Sequence, residues 1–290
     1  MTRIVVLGDV MVDVVARLER PLAAASDAPA AIRFHGGGSA ANTAAWLAAA
    51  GAEPVLVGCI GDDERGRTAR EELRAGGVDV RLSVDPELPT GTCIVLVGAD
   101  AERTMVPDAG ANDALREEHL DDALLGPGGH LHVAGYALLR EGSRPAAQAG
   151  IGRASRAGMS VSVDPSSSAL LSAEFLDWAD GAGLLLPNAA EAEALTGLAD
   201  PERAARGLAE RFAEVVVTLG PGGALWTDGA EVIRVPAEPV EAVADSTGAG
   251  DAFAAGLLSA RVAGAPVAEA LASGCRLAAR AVTQGGARPS

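Results

Sequence analysis

The sequence has no lysine among its 290 residues, and this absence excludes several kinds of phosphate and cofactor site. A Walker A P-loop, the ATP site of a protein kinase and a pyridoxal Schiff base each need a lysine side chain. If the protein binds phosphate, it must therefore use backbone N–H groups, arginine side chains or a metal ion.

Aromatic residues are also scarce, at 3% of the chain, although 49% of the residues are hydrophobic. The core must therefore be built from Ala, Val and Leu. The three cysteines (Cys59, Cys93 and Cys275) are odd in number, widely spaced and without a Cys-x-x-Cys pair, which is typical of reduced thiols. His130 and His132 alternate along a predicted strand, and we expect both to be structural.

The formal net charge of −16 argues against nucleic acid or an anionic membrane as a partner. It does not exclude an anionic substrate, because a helix N-terminus creates a local positive field. No apolar run is long enough to span a bilayer, and the N-terminus lacks the charged and apolar regions of a signal peptide. We therefore expect a cytoplasmic protein.

From residue 115 onward, strand and helix patterns alternate, which predicts an α/β protein with three αβα layers and a mainly parallel central sheet. Earlier segments, Val10–Leu18 with Ala31–Phe34 and Gly91–Val97 with Arg103–Val106, are typical of hairpins inserted into such a fold. We therefore predict a core domain of residues 1–11, 35–88 and 107–290, and a small β lid of residues 12–34 and 89–106.

The segment Asp245–Phe253 combines two glycines with an aspartate at the start of an apolar helix. Free N–H groups and the positive end of the helix dipole form an anion site there. Asp251 lies in the first helical turn, where it is placed to deprotonate a hydroxyl while the N–H groups stabilise a phosphoryl group. The alternative is a helix that Asp251 merely caps, worth about 0.3–1 kcal/mol.

A second glycine-rich segment, Gly36–Ala44, also precedes a helix. Its glycines allow a ligand to approach the backbone closely, and Asn42 offers both a donor and an acceptor to sugar hydroxyls. The alternative for this segment is a loop that only caps the helix.

The segment Asp245–Phe253 resembles the C-terminal signature of the ribokinase-like (PfkB-type) carbohydrate kinases, and Gly36–Ala44 resembles the N-terminal signature of the same family. Weaker matches extend in the family's order from Gly8 to Ala287. The resemblance implies a ribokinase-like fold and an ATP-dependent transfer of the γ-phosphate to a hydroxymethyl group of a small sugar similar to ribose, fructose or ketogluconate. Ser39 stands where ribokinases usually carry lysine, which weakens a ribose assignment.

The resemblance also implies roles for individual residues. It makes Asp251 the catalytic base beside the N–H groups of Gly248, Ala249 and Gly250, and it makes Gly37, Gly38, Asn42 and Asp13 sugar ligands. A solvated charge on the hairpin is the alternative for Asp13. Arg103 would close over phosphate or substrate, or else would be a solvated arginine. The roles of Asp9 and Asp164 stay open, with Asp164 a candidate for the shell around the metal.

Two further segments resemble the family's nucleotide site. Asn188–Glu191 is similar to an Asn-x-x-Glu motif that holds nucleotide phosphate and, through water, Mg²⁺ at Glu191; a plain capping box is the alternative. Thr218–Gly223 is similar to a nucleotide loop, with Thr218, Gly220 and Gly223 as ligands, or else forms a simple hairpin turn. The implied cofactors are ATP and Mg²⁺.

A K⁺ site at Asp245 and Thr247 is a further hypothesis from the resemblance, with Gln284 standing where arginine is common. Analogy also suggests a homodimer that pairs through the lid sheet. A nucleoside kinase on the same fold is the main alternative function, although the predicted lid offers only Phe34 as an aromatic surface for a base. A non-catalytic sugar or nucleotide sensor is less favoured because Asp251 and Glu191 are both present. The first strand ends in Gly8-Asp9 without Gly-x-Gly-x-x-Gly, which argues against a dinucleotide-dependent oxidoreductase.

Overall fold

The computed structural model describes residues 3–22, 25–98 and 103–289. The strands within these ranges are β1 Ile4–Leu7, β2 Met11–Leu18, β3 Ala30–Gly37, β4 Pro54–Gly61, β5 Asp79–Asp85, β6 Gly91–Val97, β7 Arg103–Asp108, β8 His130–Ala134, β9 Ser160–Asp164, β10 Leu184–Leu185, β11 Glu214–Thr218, β12 Ala224–Thr227 and β13 Val232–Val235. The α-helices are α1 Ser39–Ala49, α2 Glu64–Ala75, α3 Tyr136–Leu139, α4 Arg144–Arg156, α5 Phe175–Trp178, α6 Ala189–Thr196, α7 Pro201–Leu208, α8 Ala249–Val262 and α9 Val267–Val282.

The large sheet has nine strands in the order β13-β12-β11-β10-β9-β8-β1-β4-β5. The seven strands from β11 to β5 run parallel, and β12 and β13 form an antiparallel edge. The predicted mainly parallel sheet is therefore confirmed. β5, which completes one edge, was not predicted from the sequence, because its polar and apolar residues are mixed without a clear run.

Helices cover both faces of this sheet, as the predicted three layers require. Alternate side chains of a strand point to opposite faces, and β1 shows the result. Val5 and Leu7 pack in one core with residues of α4, α6 and α7. Ile4 and Val6 pack in the other core with residues of α1, α2 and α8. Every residue of β1 is buried, as expected of a central parallel strand.

A separate sheet of four strands has the order β3-β2-β6-β7, in which β2 and β6 are parallel and the outer pairs antiparallel. It is longer than the predicted lid: pairing continues to Met11 opposite Gly37 and to Asp108 opposite Thr92, positions that the sequence analysis gave in part to the core. Within the predicted lid, residues 23, 24 and 99–102 lie outside the described residues.

The two faces of this small sheet differ. Met11, Cys93, Val95 and Val97 form a buried apolar cluster on the inner face. The outer face exposes large apolar side chains, namely Ile32 (60%), Phe34 (66%), Ile94 (46%) and Val106 (54%). None of the helices in the described ranges combines the length and apolarity that crossing a bilayer requires. All three cysteines are buried and unpaired.

Candidate active site

Polar side chains gather at the carboxyl edge of the large sheet. Asp9 follows β1, Asp164 ends β9, Asn188 follows β10 and Thr218 ends β11. In open α/β sheets, ligands bind in the crevice beyond the carboxyl ends of the strands. All four residues line one cavity of about 290 Å³, whose other walls include the N-terminus of α8 and the inner face of the small sheet.

The N-terminus of α8 opens directly onto this cavity through Gly248, Ala249, Gly250 and Asp251. Gly248 has φ of 77°, and a Cβ there would lie 2.6 Å from the carbonyl oxygen of Ala287, so only glycine fits. The N–H of Ala249 donates to Ser246 at 3.3 Å. The N–H groups of Gly250 and Asp251 have no backbone acceptor in the described part of the chain, which leaves them available to an anion.

Asp251 brings the two glycine-rich segments together. The hydroxyl of Ser39 donates to its Oδ1 at 2.7 Å, and the amide nitrogen of Asn42 donates to its Oδ2 at 2.9 Å. Burial raises the pKa of Asp251 to about 7. The hydrogen bonds from Asn42 and Ser39 oppose this rise, and the charges of Asp164 and Asp9 add to it. A carboxyl group with this pKa gains and loses its proton near neutral pH.

Asp13 lines the cavity from β2, and its carboxylate lies against the backbone of Gly37, where a Cβ would come within 2.4 Å of Oδ1. Burial raises the pKa of Asp13 to about 6, against the charge of Arg288, which lowers it. Gly38 lines the same cavity. The predicted sugar ligands Asp13, Gly38 and Asn42 therefore share one space with Asp251.

Asn188 and Glu191 form a reciprocal capping box at the start of α6. The N–H of Asn188 donates to Glu191 Oε2, and the N–H of Glu191 donates to Asn188 Oδ1, both at 2.9 Å. This is the geometry of the capping alternative, yet both side chains also line the cavity. Burial raises the pKa values of Asp164 and Glu191, and the charge of Glu191 raises that of Asp164 further.

Arg103 does not lie among the residues that line the cavity. Its Nη1 lies 2.6 Å from Oδ1 of Asp245 and also contacts the hydroxyl of Thr247. Asp245 accepts a hydrogen bond from the N–H of Thr247 at 2.7 Å. Burial alone would raise the pKa of Asp245, but that hydrogen bond and the charge of Arg103 outweigh burial and lower it. Arg103 thus ties the small sheet to the loop before α8.

A second cavity of about 690 Å³ adjoins the first and shares Thr218, Ala249 and Gly250 with it. The predicted nucleotide residues Gly220 and Gly223 line this space, which is otherwise mainly apolar; its apolar walls include Pro221, Pro239, Val240, Val243, Phe253 and Cys275. The same loop also joins β11 to β12 as a hairpin, so the simple-turn alternative describes its backbone equally well.

Three residues near the cavity were missed in the sequence analysis. Tyr136 and Arg140 line it after β8, with the guanidinium of Arg140 5.4 Å from the Tyr136 ring centre. Arg288 reaches Asn42 from the far end of the chain. A single tyrosine or arginine outside a motif gives no sequence signal. Ser39 lay within a motif, but nothing predicted its bond to Asp251.

Known proteins match this chain over most of its length. A family model described as pfkB family carbohydrate kinase matches residues 1–290. The chain is 33% identical over 270 residues to an ATP-dependent ribose-1-phosphate kinase of Halopiger xanaduensis, covering 89% of this chain and 84% of that protein.

Among solved structures, the adenosine kinase of Sinorhizobium meliloti superposes with a TM-score of 0.90 at 28% identity, covering 99% of this chain and 95% of that one. A putative ribokinase II of E. coli in complex with ATP and Mg²⁺ gives a TM-score of 0.86 at 26% identity, covering 99% and 94%.

Proposed function

This chain belongs to the pfkB family of carbohydrate kinases, and from that membership we propose which residues carry its reaction. The protein is a phosphotransferase with an alcohol acceptor that transfers the γ-phosphate of ATP to a hydroxymethyl group of a small sugar. The observation that carries the residue assignment is the position of Asp251, which lies beside free N–H groups of α8 and hydrogen-bonds to Asn42 in one cavity.

In the proposed reaction, Asp251 accepts the proton of the sugar hydroxyl as the oxygen attacks the γ-phosphorus. The bond from phosphorus to the β,γ-bridging oxygen breaks, and ADP leaves with that electron pair. A general base typically contributes about 10²–10⁴ in rate. The N–H groups of Gly250 and Asp251, with Gly248 and Ala249 shaping the turn, stabilise the charge on the transferring group.

The proposed sugar site lies between α1 and the small sheet. Asp13 accepts hydrogen bonds from sugar hydroxyls, and the backbone at Gly37 and Gly38 allows the sugar to approach closely. Asn42 contacts the sugar from the same side as Asp251. Lid closure by the small sheet, with Arg103 held at Asp245, excludes water and so limits the hydrolysis of ATP.

ATP and Mg²⁺ are the cofactors, and we propose that the base and ribose occupy the second cavity beside Thr218, Gly220 and Gly223. No cluster of three or more His, Cys, Asp or Glu side chains among the described residues could hold a metal ion alone. The donor set does fit a hydrated Mg²⁺, which needs only one or two carboxylates besides the phosphates. Glu191, with Asp164 nearby and Asn188 beside the phosphates, would hold it through water. The ion would neutralise charge on the phosphates.

We also propose a K⁺ site at Asp245 and Thr247. In the structure, however, Arg103 already supplies a positive charge to the Asp245 carboxylate. A required K⁺ must therefore bind alongside or displace that guanidinium. Equal turnover in buffers containing only Na⁺ and only K⁺ would contradict the requirement.

The remaining proposals concern partners and location. The apolar outer face of the small sheet, with Phe34 and Ile32 exposed, supports a homodimer through the lid. Phe34→Asp should shift a dimer to monomer in sedimentation analysis. The net charge of −16 supports a protein without nucleic-acid or membrane partners, and the unpaired cysteines support a cytoplasmic location.

One observation keeps a nucleoside acceptor as a second candidate. The wall that the small sheet presents to the cavity is apolar at Met11, Cys93, Met105 and Pro107, and such a wall suits a substrate with an apolar face. Phe34, the one aromatic residue of the predicted lid, points outward and is 66% exposed, so it does not support a nucleoside acceptor.

The discriminating experiment incubates the protein with ATP, Mg²⁺ and a matched panel of ketoses, aldoses, sugar acids, sugar phosphates and nucleosides, and measures ADP release. We expect turnover with a plain sugar to exceed turnover with any nucleoside. The reverse order would favour the nucleoside acceptor. ATP binding without ADP release for the whole panel would favour a sensor and contradict the proposed reaction.

A further inference from the structure

Arg288 is a largely buried cation whose guanidinium donates two hydrogen bonds to residues of the proposed sugar site. Its side chain is 13% exposed. Its Nη2 donates to the carbonyl oxygen of Gly37 at 2.7 Å, and its Nε donates to Oδ1 of Asn42 at 3.3 Å. Nη1 forms no hydrogen bond among the described residues and lies 3.9 Å from a carboxylate oxygen of Glu72.

The Asn42 amide links Arg288 to Asp251. Its oxygen accepts from Arg288, and its nitrogen donates to Asp251 Oδ2 at 2.9 Å. If the amide were rotated by half a turn, its NH₂ would face the guanidinium and its oxygen would face the carboxylate. Both contacts would then be repulsive. The cation at one end and the carboxylate at the other therefore select the same orientation.

The fold holds Arg288 firmly in this place. The indole N–H of Trp46 on α1 donates to the carbonyl oxygen of Ala287 at 2.9 Å, next to Arg288 in the chain. The guanidinium packs against Gly36, where a Cβ would lie only 2.1 Å from Nη1. A side chain at this first position of the three-glycine segment would therefore displace the guanidinium.

We propose that Arg288 is a positioning residue for phosphoryl transfer, which fixes the Asn42 amide toward Asp251 and holds the carbonyl of Gly37 beside the sugar site. This inference rests on the proposed function. The positive charge of Arg288 also favours the charged form of Asp13, because it opposes the rise in the pKa of this carboxyl group.

The test compares Arg288→Gln and Arg288→Lys with the unsubstituted protein, using the acceptor sugar that the panel identifies. Arg288→Gln should lower kcat/KM for the sugar by about 10- to 100-fold, the range expected when a hydrogen bond to a charged group is lost. The KM for ATP should stay within about twofold because Arg288 lies outside the second cavity. Arg288→Lys keeps the charge but loses the planar two-point contact, and should show a smaller loss.

The pH profile separates positioning from a merely structural role. Loss of the positive charge in Arg288→Gln should move the acidic limb of kcat/KM to higher pH, because nearby carboxyl groups then bind protons more readily. Arg288→Lys should leave the limb where it is. A variant that only unfolds more easily loses active protein without moving the limb.

A double-substitution cycle tests the route through Asn42. If Arg288 acts mainly through this amide, Asn42→Ala with Arg288→Gln should have a kcat/KM close to that of Asn42→Ala alone. Gly36→Ala displaces the guanidinium without removing its charge, and should reproduce the loss of kcat/KM while leaving the pH limb in place. Arg261→Gln, which breaks an ion pair with Glu214 elsewhere, is the matched control for loss of a partly buried arginine and should keep kcat/KM unchanged.

Independent, multiplying losses in the cycle, or an unchanged kcat/KM in Arg288→Gln, would overturn the positioning role. If Arg288→Gln fails to fold, the cycle is repeated with Arg288→Lys: wild-type kcat/KM in that variant contradicts the inference, and a loss of kcat/KM per folded molecule that disappears in the Asn42→Ala background supports it. An unsubstituted protein that phosphorylates no member of the panel refutes the proposed function instead, which keeps the two failures distinguishable.

Discussion

Two groups of polar side chains lie against the large sheet and can be compared directly. One is the set of carboxyl groups around the cavity at its carboxyl edge, including Asp251 on α8 and Asp164 on β9. The other is a histidine–serine network between β8 and β9. There His130 bonds Ser160 at 2.7 Å and Ser162 at 2.8 Å, and His132 bonds Ser162 at 2.8 Å.

The histidine network is neutral and almost fully paired. Burial lowers the pKa of His130 to about 4 and that of His132 to about 3. If His132 donates to Ser162, Ser162 to His130, His130 to Ser160 and Ser160 to the carbonyl of Gly129, every hydrogen of the network is used, and His132 Nε2, which has no partner among the described residues, carries a lone pair. Such a network costs little to bury, because its groups carry no charge.

The carboxyl edge has the opposite character. Burial raises the pKa of Asp251 to about 7, so that this group exchanges its proton near neutral pH, and two N–H groups of α8 have no backbone acceptor among the described residues. Unsatisfied donors beside carboxyl groups cost stability unless a ligand completes them. The two histidines, predicted as structural, are hydrogen-bonded through a serine that they share. The N–H groups beside the carboxyl edge have no backbone acceptor among the described residues, and so are available to a ligand.

The largest expected effect concerns the free N–H groups. Gly250→Pro removes one donor at a position in the first turn of α8 where proline is tolerated, so kcat should fall by about 10²–10³. Gly250→Ala is the matched control, because it keeps the N–H and its Cβ meets nothing within 4 Å. ADP release measures both. Equal kcat in the two variants would show that this donor has no part in the transfer.

The histidine network should respond in stability alone. Ser162→Ala leaves two imidazoles without their shared partner, and should lower the free energy of unfolding by about 1–3 kcal/mol while kcat stays unchanged. Chemical denaturation with ADP release at a permissive temperature checks both values. A fall in kcat without a fall in stability would erase the distinction between the two regions.

Ser39→Ala removes the hydrogen bond that the Ser39 hydroxyl donates to Asp251, the proposed catalytic base. The Ser39 hydroxyl stabilises the charged form of Asp251, so its loss should raise the pKa of Asp251 above about 7. A base must be deprotonated to act, so kcat/KM at pH 7 should fall by about tenfold, and activity should recover as the pH increases. A pH–rate profile measures the limb. If the acidic limb of kcat/KM stays at the same pH in Ser39→Ala as in the wild type, that limb does not report the protonation of Asp251.

The smallest expected effect is the pH dependence that the histidine–serine network gives to the free energy of unfolding. The unfolded chain binds protons on His132 below its ordinary pKa of 6.5, whereas the folded chain does not until about 3, so wild-type stability falls as pH decreases through this window. His132→Gln lacks this loss. Its stability deficit relative to wild type should therefore shrink below pH 6.5, by at most about 1.4 kcal/mol per pH unit. A constant deficit from pH 7 to pH 5 would mean that His132 has the same pKa in the folded protein as in the unfolded chain, and would contradict its burial as a neutral group.

Much of the fold followed from local pattern. The strand at Gly91–Val97 was predicted with its observed ends, and the segments Val10–Leu18 and Arg103–Val106 each overlap an observed strand, because turns and apolar alternation are local signals. The strand at Asp79–Asp85 was missed because its mixed sequence depends on pairing with β4. The glycines of the segments Gly36–Ala44 and Asp245–Phe253 also indicated correctly that a helix begins in each.

The site followed only in part. Asn42 and Asp251, 209 residues apart, were connected through resemblance to a family, and their hydrogen bond is visible only in three dimensions. Arg288 and Tyr136 carry no motif, and their neighbours come from distant elements. The pairing of Arg103 with Asp245 was missed for the same reason, since it joins the small sheet to the loop before α8 across 142 residues of sequence.

The central claim is that Asp251 is the base beside the amide groups of α8, and turnover of Asp251→Asn tests it most directly. The substitution keeps the size of the side chain and removes its capacity to accept the hydroxyl proton. We predict that kcat falls by at least about a hundredfold, while calorimetry shows binding of ATP and sugar close to wild type. A kcat near the wild-type value would contradict the account.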